Sequence, residues 1–129
     1  MVKTKIIELL DLIKTDLELS DWSKALTLKD QHKWFLDEVD ELKEALAKED
    51  MENYHEELGD VLWDLLKLIL IAEKEGIGAA RDIIEDVRKK ISTRKPHLLN
   101  GKKVSVEEES KIWHEIKAKE KNERAGNNG

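Results

Sequence analysis

Two pairs of acidic residues have the spacing of a metal-binding site: Glu38-x-x-Glu41 and Glu57-x-x-Asp60. Residues three positions apart lie on one face of an α-helix, so each pair would present two carboxylates side by side. Antiparallel packing of the two helices would bring the pairs together. Carboxylates that converge without a base among them repel one another, and a hard divalent cation with oxygen ligands relieves that repulsion. The spacing therefore predicts a Mg²⁺ site built from these side chains.

Each pair also has an ordinary structural explanation. Glu38 falls inside the apolar arc of its helix, where a buried glutamate commonly meets a lysine or arginine of a neighbouring helix. The second pair belongs to a stripe of charges, which any amphipathic helix turns to solvent. Its four members are Glu57, Asp60, Asp64 and Lys67, of which the first three are acidic. A stripe that only stabilises a helix would alternate acidic and basic residues one turn apart, so this composition favours the metal site. It also makes Asp64 a candidate additional ligand.

A basic pair follows in the next predicted helix. Lys90 and Arg94 are one turn apart, a spacing that lets two cations grip one polyphosphate, although the helix dipole alone also favours basic residues there. Trp113, on a highly charged terminal helix, would offer an aromatic face if that helix folded over a site. An acidic metal cluster together with a basic clamp is the pattern expected for a metal-bound di- or triphosphate.

A di-iron carboxylate bundle is the nearest alternative for this geometry. Such a site takes a Glu-x-x-His pair from each of two helices. The sequence has one such spacing, Glu52 to His55, and it lies off the acidic stripe. The missing second pair makes the di-iron site the weaker interpretation.

Composition limits the class of protein. With 129 residues the chain fits one domain, and a net charge of −6 argues against binding a nucleic acid polymer. The absence of cysteine excludes disulfides and thiolate metal sites. The near-apolar run 61–72 is too short to span a bilayer, and the first residues do not resemble a signal peptide. We therefore expect a soluble cytoplasmic protein without a membrane partner.

Helix formers and an apolar period near 3.6 residues predict an all-α fold, since one proline and six glycines leave few turns for strands. We expect a four-helix-bundle-like domain with an additional C-terminal helix over residues 1–121, and a disordered tail over 122–129. The predicted helices span 3–17, 28–48, 51–74, 79–93 and 106–121, with a connector at 21–23. Thr27 and Asp30, Asp50, Gly76, Pro96, and Ser105 with Glu108 mark the helix boundaries.

Several stretches of the chain resemble one family. The stretches 37–46 (DEVDELKEAL) and 56–66 (EELGDVLWDLL) resemble the Glu-Glu-x-x-Glu … Glu-x-x-Asp motif of the MazG nucleoside triphosphate pyrophosphohydrolases. Similarity continues, in order, at 21–27 (DWSKALT), 89–99 (KKISTRKPHLL) and 111–121 (KIWHEIKAKEK). Asp37 replaces the first motif glutamate, and Ser23 and Leu26 stand where the family often has Asp and Gln.

The resemblance implies a reaction and a role for each matching residue. The reaction would be hydrolysis of a nucleoside triphosphate to the monophosphate and pyrophosphate, with Mg²⁺ (or Mn²⁺ in its place) as cofactor. Glu41 is our choice of general base, with Glu38 as the second catalytic carboxylate. The implied metal ligands are Glu38, Glu41, Glu57 and Asp60, and the implied substrate-binding residues are Trp34, Lys90, Arg94, Trp113 and Lys24.

The sequence leaves two alternative functions open and also suggests an oligomeric state. A relative with narrow specificity, such as a dUTP/dCTP hydrolase or a phosphoribosyl-ATP pyrophosphohydrolase, shares the acidic motif. A non-catalytic helical module that binds nucleotides or oligomerises would also retain it. Finally, the third predicted helix is apolar beyond what one neighbour would cover, and the family is typically dimeric, so we expect a homodimer.

Overall fold

The computed structural model describes residues 1–127, and every regular element in that range is a helix, which confirms the all-α prediction. The helices are α1 (Val2–Leu19), α2 (Asp21–Lys24), α3 (Leu28–Ala47), α4 (Met51–Lys74), α5 (Ala80–Arg94), α6 (His97–Asn100) and α7 (Val106–Asn127). The chain divides into two compact units, the first spanning Met1–Ala80 and the second beginning at Arg81. The prediction of one domain over 1–121 stays a prediction.

In the first unit, α3 and α4 pack against each other as an antiparallel pair, and α1 packs against α2 and α4. Local hydrogen bonds fix where the two long helices begin. The Asp30 N–H donates to Thr27 Oγ1 and the Thr27 N–H donates to Asp30 Oδ2, both at 3.1 Å, so the predicted capping signature is a complete capping box. The Asn53 N–H donates to Asp50 Oδ1 at 3.2 Å, which caps α4 as predicted.

Two members of the charged stripe of α4, Glu57 and Lys67, are buried in the interior of this unit. Lys67 is 4% exposed, and its ammonium lies 2.8 Å from Asp16 Oδ2 of α1 and 2.9 Å from Ser23 Oγ of α2. Glu57 is also buried, whereas leucines on other faces of α4 are between 39% and 47% exposed: Leu58, Leu62 and Leu65. The stripe is therefore not uniformly exposed to solvent, although Asp60 within it is exposed.

Three local predictions differ from the structure. The connector 21–23 is the short helix α2, because the Ser23 N–H donates to Ser20 Oγ at 3.2 Å and closes a helical turn. A second short helix, α6, follows Pro96 and ends at Gly101, whose φ is +65°. Helix α7 begins at the predicted Ser105 cap but continues to Asn127, so 122–127 are helical rather than a disordered tail. Residues 128 and 129 of that predicted tail lie outside the described residues.

The extra length of α7 agrees with its composition, since lysine, glutamate, arginine and alanine dominate 115–125 and are all strong helix formers. Within residues 1–127, no helix is both long enough and apolar enough to cross a membrane.

Candidate metal centre and its surroundings

Three carboxylates converge between α3 and α4. Glu38 and Glu41 come from α3 and Glu57 from α4, and one oxygen of each lies within 4.8 Å of the others. Glu57 is buried, Glu38 is half-buried and Glu41 is exposed, so the cluster runs from the helix interface out to solvent. The i, i+3 spacing in α3 and the antiparallel packing of α4 bring together three of the four predicted ligands.

Asp60, the fourth predicted ligand, is exposed and is not part of this group. Glu41 follows Glu38 at the same spacing and does join the group, so the i, i+3 spacing alone does not decide which acid is included. Asp64 is also outside the group, and the Gln31 side-chain amide of α3 donates to its backbone oxygen at 3.1 Å. Burial raises the pKa of Asp64 above its usual value.

The electrostatics of the cluster favour a cation. Burial raises the pKa of Glu38 to about 8, and the proximity of Glu57 and the negative charge of Glu41 act in the same direction. Among the described residues, the buried Oε2 atoms of Glu38 and Glu57 have no hydrogen-bond partner. A buried oxygen without a hydrogen-bond donor lowers the stability of the fold, so a ligand that binds these two atoms would be favourable.

The donor set identifies the class of ligand that fits. Three carboxylates without a nitrogen or sulfur donor suit a hard divalent cation such as Mg²⁺ or Mn²⁺. The cluster adjoins a cavity of about 310 Å³ lined by Glu41, Glu57 and Lys48 among others. The Lys48 ammonium is 2.8 Å from Glu44, so its charge is already paired and does not neutralise the cluster.

The second unit holds Arg94 and Trp113 together. Arg94 is 9% exposed, its Nη2 lies 3.1 Å from Glu120 Oε2, and its guanidinium carbon lies 4.9 Å from the centre of the Trp113 ring. Its Nε is buried without a partner among the described residues. Lys90 is exposed one turn earlier on α5. Sequence reasoning missed Glu120, because the spacing of α5 cannot indicate which residue of α7 packs on it.

A second pair of contacts from α7 lies beside this one. Glu109 accepts from the Lys95 ammonium through Oε1 at 2.5 Å and contacts His97 Nε2 through Oε2 at 3.0 Å. Hydrogen bonds from these two side chains hold the pKa of Glu109 below its usual value. Trp113, Lys95 and Glu109 line a cavity of about 420 Å³ within this unit. None of Lys95, His97 and Glu109 was among the predicted site residues, so this arrangement was not predicted.

The remaining two predicted substrate-binding residues lie in the first unit. Trp34 of α3 is 47% exposed and meets Trp22 of α2 edge to face, with ring centres 6.1 Å apart. Lys24 is exposed at the end of α2, and its ammonium is 4.0 Å from the Asp21 carboxylate. The structure thus places Trp34 at a partly open aromatic contact and Lys24 at the surface.

Comparisons with known proteins agree on one family. The MazG nucleotide pyrophosphohydrolase domain matches residues 26–99. The chain is similar to the uncharacterized protein YabN of Bacillus subtilis, with 36% identity over 104 residues that cover 78% of this chain and 21% of that protein. It is also similar to a nucleoside triphosphate pyrophosphohydrolase of Escherichia coli K12, with 30% identity over 107 residues that cover 81% of this chain and 40% of that protein.

A solved structure extends the similarity to the fold. The crystal structure of a MazG-related protein from Thermotoga maritima matches with a TM-score of 0.81 and 33% identity, covering 86% of this chain and 97% of that one. By contrast, the chain spans only between about a fifth and two fifths of the two curated relatives.

Proposed function

We propose a function from the family, because the chain belongs to the MazG nucleotide pyrophosphohydrolase family. In this proposal the chain hydrolyses nucleoside triphosphates to nucleoside monophosphates and pyrophosphate, with Mg²⁺ as cofactor. The names of several relatives support the reaction class, and the matched residues include the whole α3–α4 pair. The proposal includes a cytoplasmic location, where substrates of this class are available.

The observation that carries the proposal is the carboxylate cluster of Glu38, Glu41 and Glu57. A structural cluster would pair its buried oxygens with donors, but Glu38 Oε2 and Glu57 Oε2 have none among the described residues. We assign these three side chains as metal ligands and Asp60 as a fourth that joins from the exposed edge of α4. When bound, the cation would neutralise phosphate oxygens of the substrate and lower the pKa of a coordinated water.

The chain's own residues then have distinct roles. Glu41 is the exposed member of the cluster, so its carboxylate is the one best able to accept a proton from water entering from solvent. Glu38 and Glu57 are held by the helix interface and fix the position of the cluster. Lys90 and Arg94 would stabilise negative charge on the departing pyrophosphate, and Trp34, Trp113 and Lys24 would contact the nucleotide.

The test is pyrophosphate release from a panel of NTPs and dNTPs, with Mg²⁺, with Mn²⁺ and with EDTA, and with nucleoside mono- and diphosphates separated by chromatography. We expect metal-dependent formation of nucleoside monophosphate and pyrophosphate in equal amounts. A strong preference for dUTP or dCTP, or turnover of phosphoribosyl-ATP alone, would reassign the chain to a narrow-specificity relative. Metal and nucleotide binding without turnover would indicate a non-catalytic binding module.

Exposed apolar residues support a homodimer as part of the proposal. Leu58, Leu62 and Leu65 of α4 and Ile6 and Ile7 of α1 are each at least 39% exposed. Exposed apolar side chains in such numbers commonly pack against another chain. Light scattering at micromolar concentration should give twice the mass of one chain, and a monomer would contradict this part of the proposal.

A further inference from the structure

Two tryptophans of the first unit enclose a cavity that the acidic cluster does not explain. The cavity measures about 430 Å³ and lies between α2 and the first half of α3, with Trp22 and Trp34 among its walls. Their rings meet edge to face at 61°, yet Trp22 is 59% exposed and Trp34 is 47% exposed. Large aromatic rings are usually buried more deeply than this, so the two tryptophans present accessible aromatic surface to the cavity. The volume of the cavity is within the range expected of a small-molecule site.

A buried lysine backs the ring of Trp22. The Lys67 ammonium lies 5.2 Å from the centre of that ring. Because Lys67 is 4% exposed whereas most of Trp22 is accessible, the cation lies on the inner side of the ring. A cation at this distance from an aromatic face is attractive, and the attraction strengthens when the cation is desolvated.

The same lysine also fixes the backbone next to Trp22. Its ammonium contacts Ser23 Oγ at 2.9 Å and Asp16 Oδ2 at 2.8 Å, and Ser23 Oγ donates to Asp16 Oδ2 at 2.7 Å. Burial raises the pKa of Asp16, but the hydrogen bonds from Lys67 and Ser23 outweigh it, so the net pKa is lowered and the ionised carboxylate is favoured. A buried ion pair is weak evidence for stability, since apolar residues of similar volume often serve as well. Its specific effect here is to hold α2, and with it Trp22, in one position.

The walls of the cavity on α3 lie one helical turn before the acidic cluster. Trp34 precedes Glu38 by one turn, a rise of about 6 Å, and Asp37, which also lines the cavity, precedes Glu41 by one turn. A nucleotide whose phosphates reach the carboxylate cluster would therefore have its base within range of the tryptophans. Lys33 and Asp37 at the cavity wall supply a donor and an acceptor for the polar edge of a base.

We propose that Trp22 and Trp34 form the subsite that binds the nucleobase, and that Lys67 is the positioning residue that fixes Trp22 there. This inference rests on the proposed function, because it concerns the substrate of the same site. Every base has a π-face, so stacking on these rings would accept different bases, and the polar groups at the wall would set the preference among them.

The first experiment measures binding by calorimetry without metal, using AMP, GMP, CMP and UMP and, as a probe without a base, ribose 5-phosphate. The variant is Trp22→Leu, and the matched control is Leu19→Ala, which truncates a 77% exposed apolar side chain nearby on α1. We expect Trp22→Leu to weaken binding of the monophosphates about tenfold and to leave ribose 5-phosphate unchanged. Unchanged affinity for the monophosphates, or equal weakening for ribose 5-phosphate, would overturn the proposal.

The second experiment separates positioning by Lys67 from a purely structural role. In steady-state hydrolysis, Lys67→Met should raise KM about tenfold with kcat within twofold, and Lys67→Arg, which keeps the cation, should recover most of the affinity. The effects of Lys67→Met and Trp22→Leu on KM should not add, because both act through one ring. Additive effects would overturn the positioning role. If circular dichroism shows that Lys67→Met does not fold, the test uses the other two variants. An unaltered KM in Lys67→Arg, together with weakened binding in Trp22→Leu, then supports the positioning role, and any other result overturns it.

Failure of this inference and failure of the proposed function give different results. Metal-dependent pyrophosphate release with a KM that Trp22→Leu does not alter supports the function and overturns the base subsite. Base-dependent binding that Trp22→Leu abolishes, in a chain that turns over no nucleotide, overturns the function and supports the subsite. If Trp22→Leu instead halves the mass seen by light scattering and leaves binding intact, the ring belongs to an interface between copies and the subsite is overturned.

Discussion

Glu38 of α3 and Glu57 of α4 bring carboxylate oxygens within 4.8 Å of each other, and each keeps one buried oxygen without a hydrogen-bond donor among the described residues. Burial raises the pKa of Glu38 to about 8, and the neighbouring carboxylates of Glu57 and Glu41 act in the same direction. The α3–α4 interface thus keeps an unfavourable contact that a divalent cation would make favourable.

Removing either carboxylate should abolish turnover. Glu38→Gln and Glu57→Gln keep the side-chain volume but replace an anionic oxygen with an amide, so we expect pyrophosphate release to fall by about 100-fold or more. Helical circular dichroism should stay unchanged, because neither side chain caps a helix. Glu56→Gln is the matched control, since Glu56 is exposed on α4 next to Glu57, and it should retain activity. Full activity of Glu38→Gln or Glu57→Gln would remove the site assignment.

Asp60→Asn tests whether the exposed fourth acid belongs to the site. Asp60 is on α4 one turn after Glu57 but outside the group of three, so we expect it to act on a cation through water or after a change of rotamer. The variant should lose turnover, while its Mg²⁺ affinity, measured by calorimetry, should fall less than that of Glu57→Gln. Wild-type turnover in Asp60→Asn would restrict the site to the three clustered carboxylates.

The metal-free protein should lose stability as pH rises from about 5 to 8. The native state keeps the proton on Glu38 up to about pH 8, whereas an unfolded glutamate, with a pKa of 4.5, has already lost it. The native state therefore binds more protons in this window, and the free energy of unfolding falls with pH. After allowance for solvent screening, we expect a fall of about 2 kcal/mol in urea titrations with EDTA.

The variant Glu38→Gln should remove most of that pH dependence, because its amide does not titrate. Near pH 8 the variant should therefore be more stable than the wild type while being inactive. Glu56→Gln again serves as the control and should show the wild-type slope. A wild-type slope in Glu38→Gln would assign the pH dependence to other groups.

How much of this arrangement the sequence could predict depends on the range of the interactions. The Thr27–Asp30 capping box and the Asp50 cap were predicted, because their hydrogen bonds join residues three positions apart. The convergence of Glu38, Glu41 and Glu57 followed from helix periodicity and antiparallel packing. The displacement of Asp60 did not, because spacing identifies a helix face only to within tens of degrees.

The burial of Lys67 could not be predicted from the sequence either. Its charge pattern showed a stripe on α4, but the stripe alone cannot say which helix covers it or that Asp16 of α1 pairs with it. Similarly, the pairing of Arg94 with Glu120 depends on how α5 and α7 pack within the second unit, and neither helix alone carries that information.

Mg²⁺ should stabilise the fold through the same carboxylates. A cation that binds only the native state adds about 2.7 kcal/mol at a concentration of 100 times its Kd, which for a chain of this size corresponds to a rise in Tm of about 5 °C or more. Thermal melts followed by circular dichroism at pH 8, with and without 10 mM MgCl₂ (about this concentration suffices for a Kd near 0.1 mM), measure the shift. Glu57→Gln should show little or none of it, and an equal shift in that variant would mean that the ion binds elsewhere.

Replacing two glycines of the first unit by alanine should change the free energy of unfolding in opposite directions. Gly76 ends α4 with φ at +81°, a conformation that side chains disfavour, so Gly76→Ala should lower the free energy of unfolding by about 1 kcal/mol. Gly59 lies inside α4, and a Cβ built there meets nothing within 4 Å, so Gly59→Ala should raise the same free energy by about 0.5–1 kcal/mol. Urea titrations with EDTA measure both. A destabilising effect of Gly59→Ala would contradict this prediction.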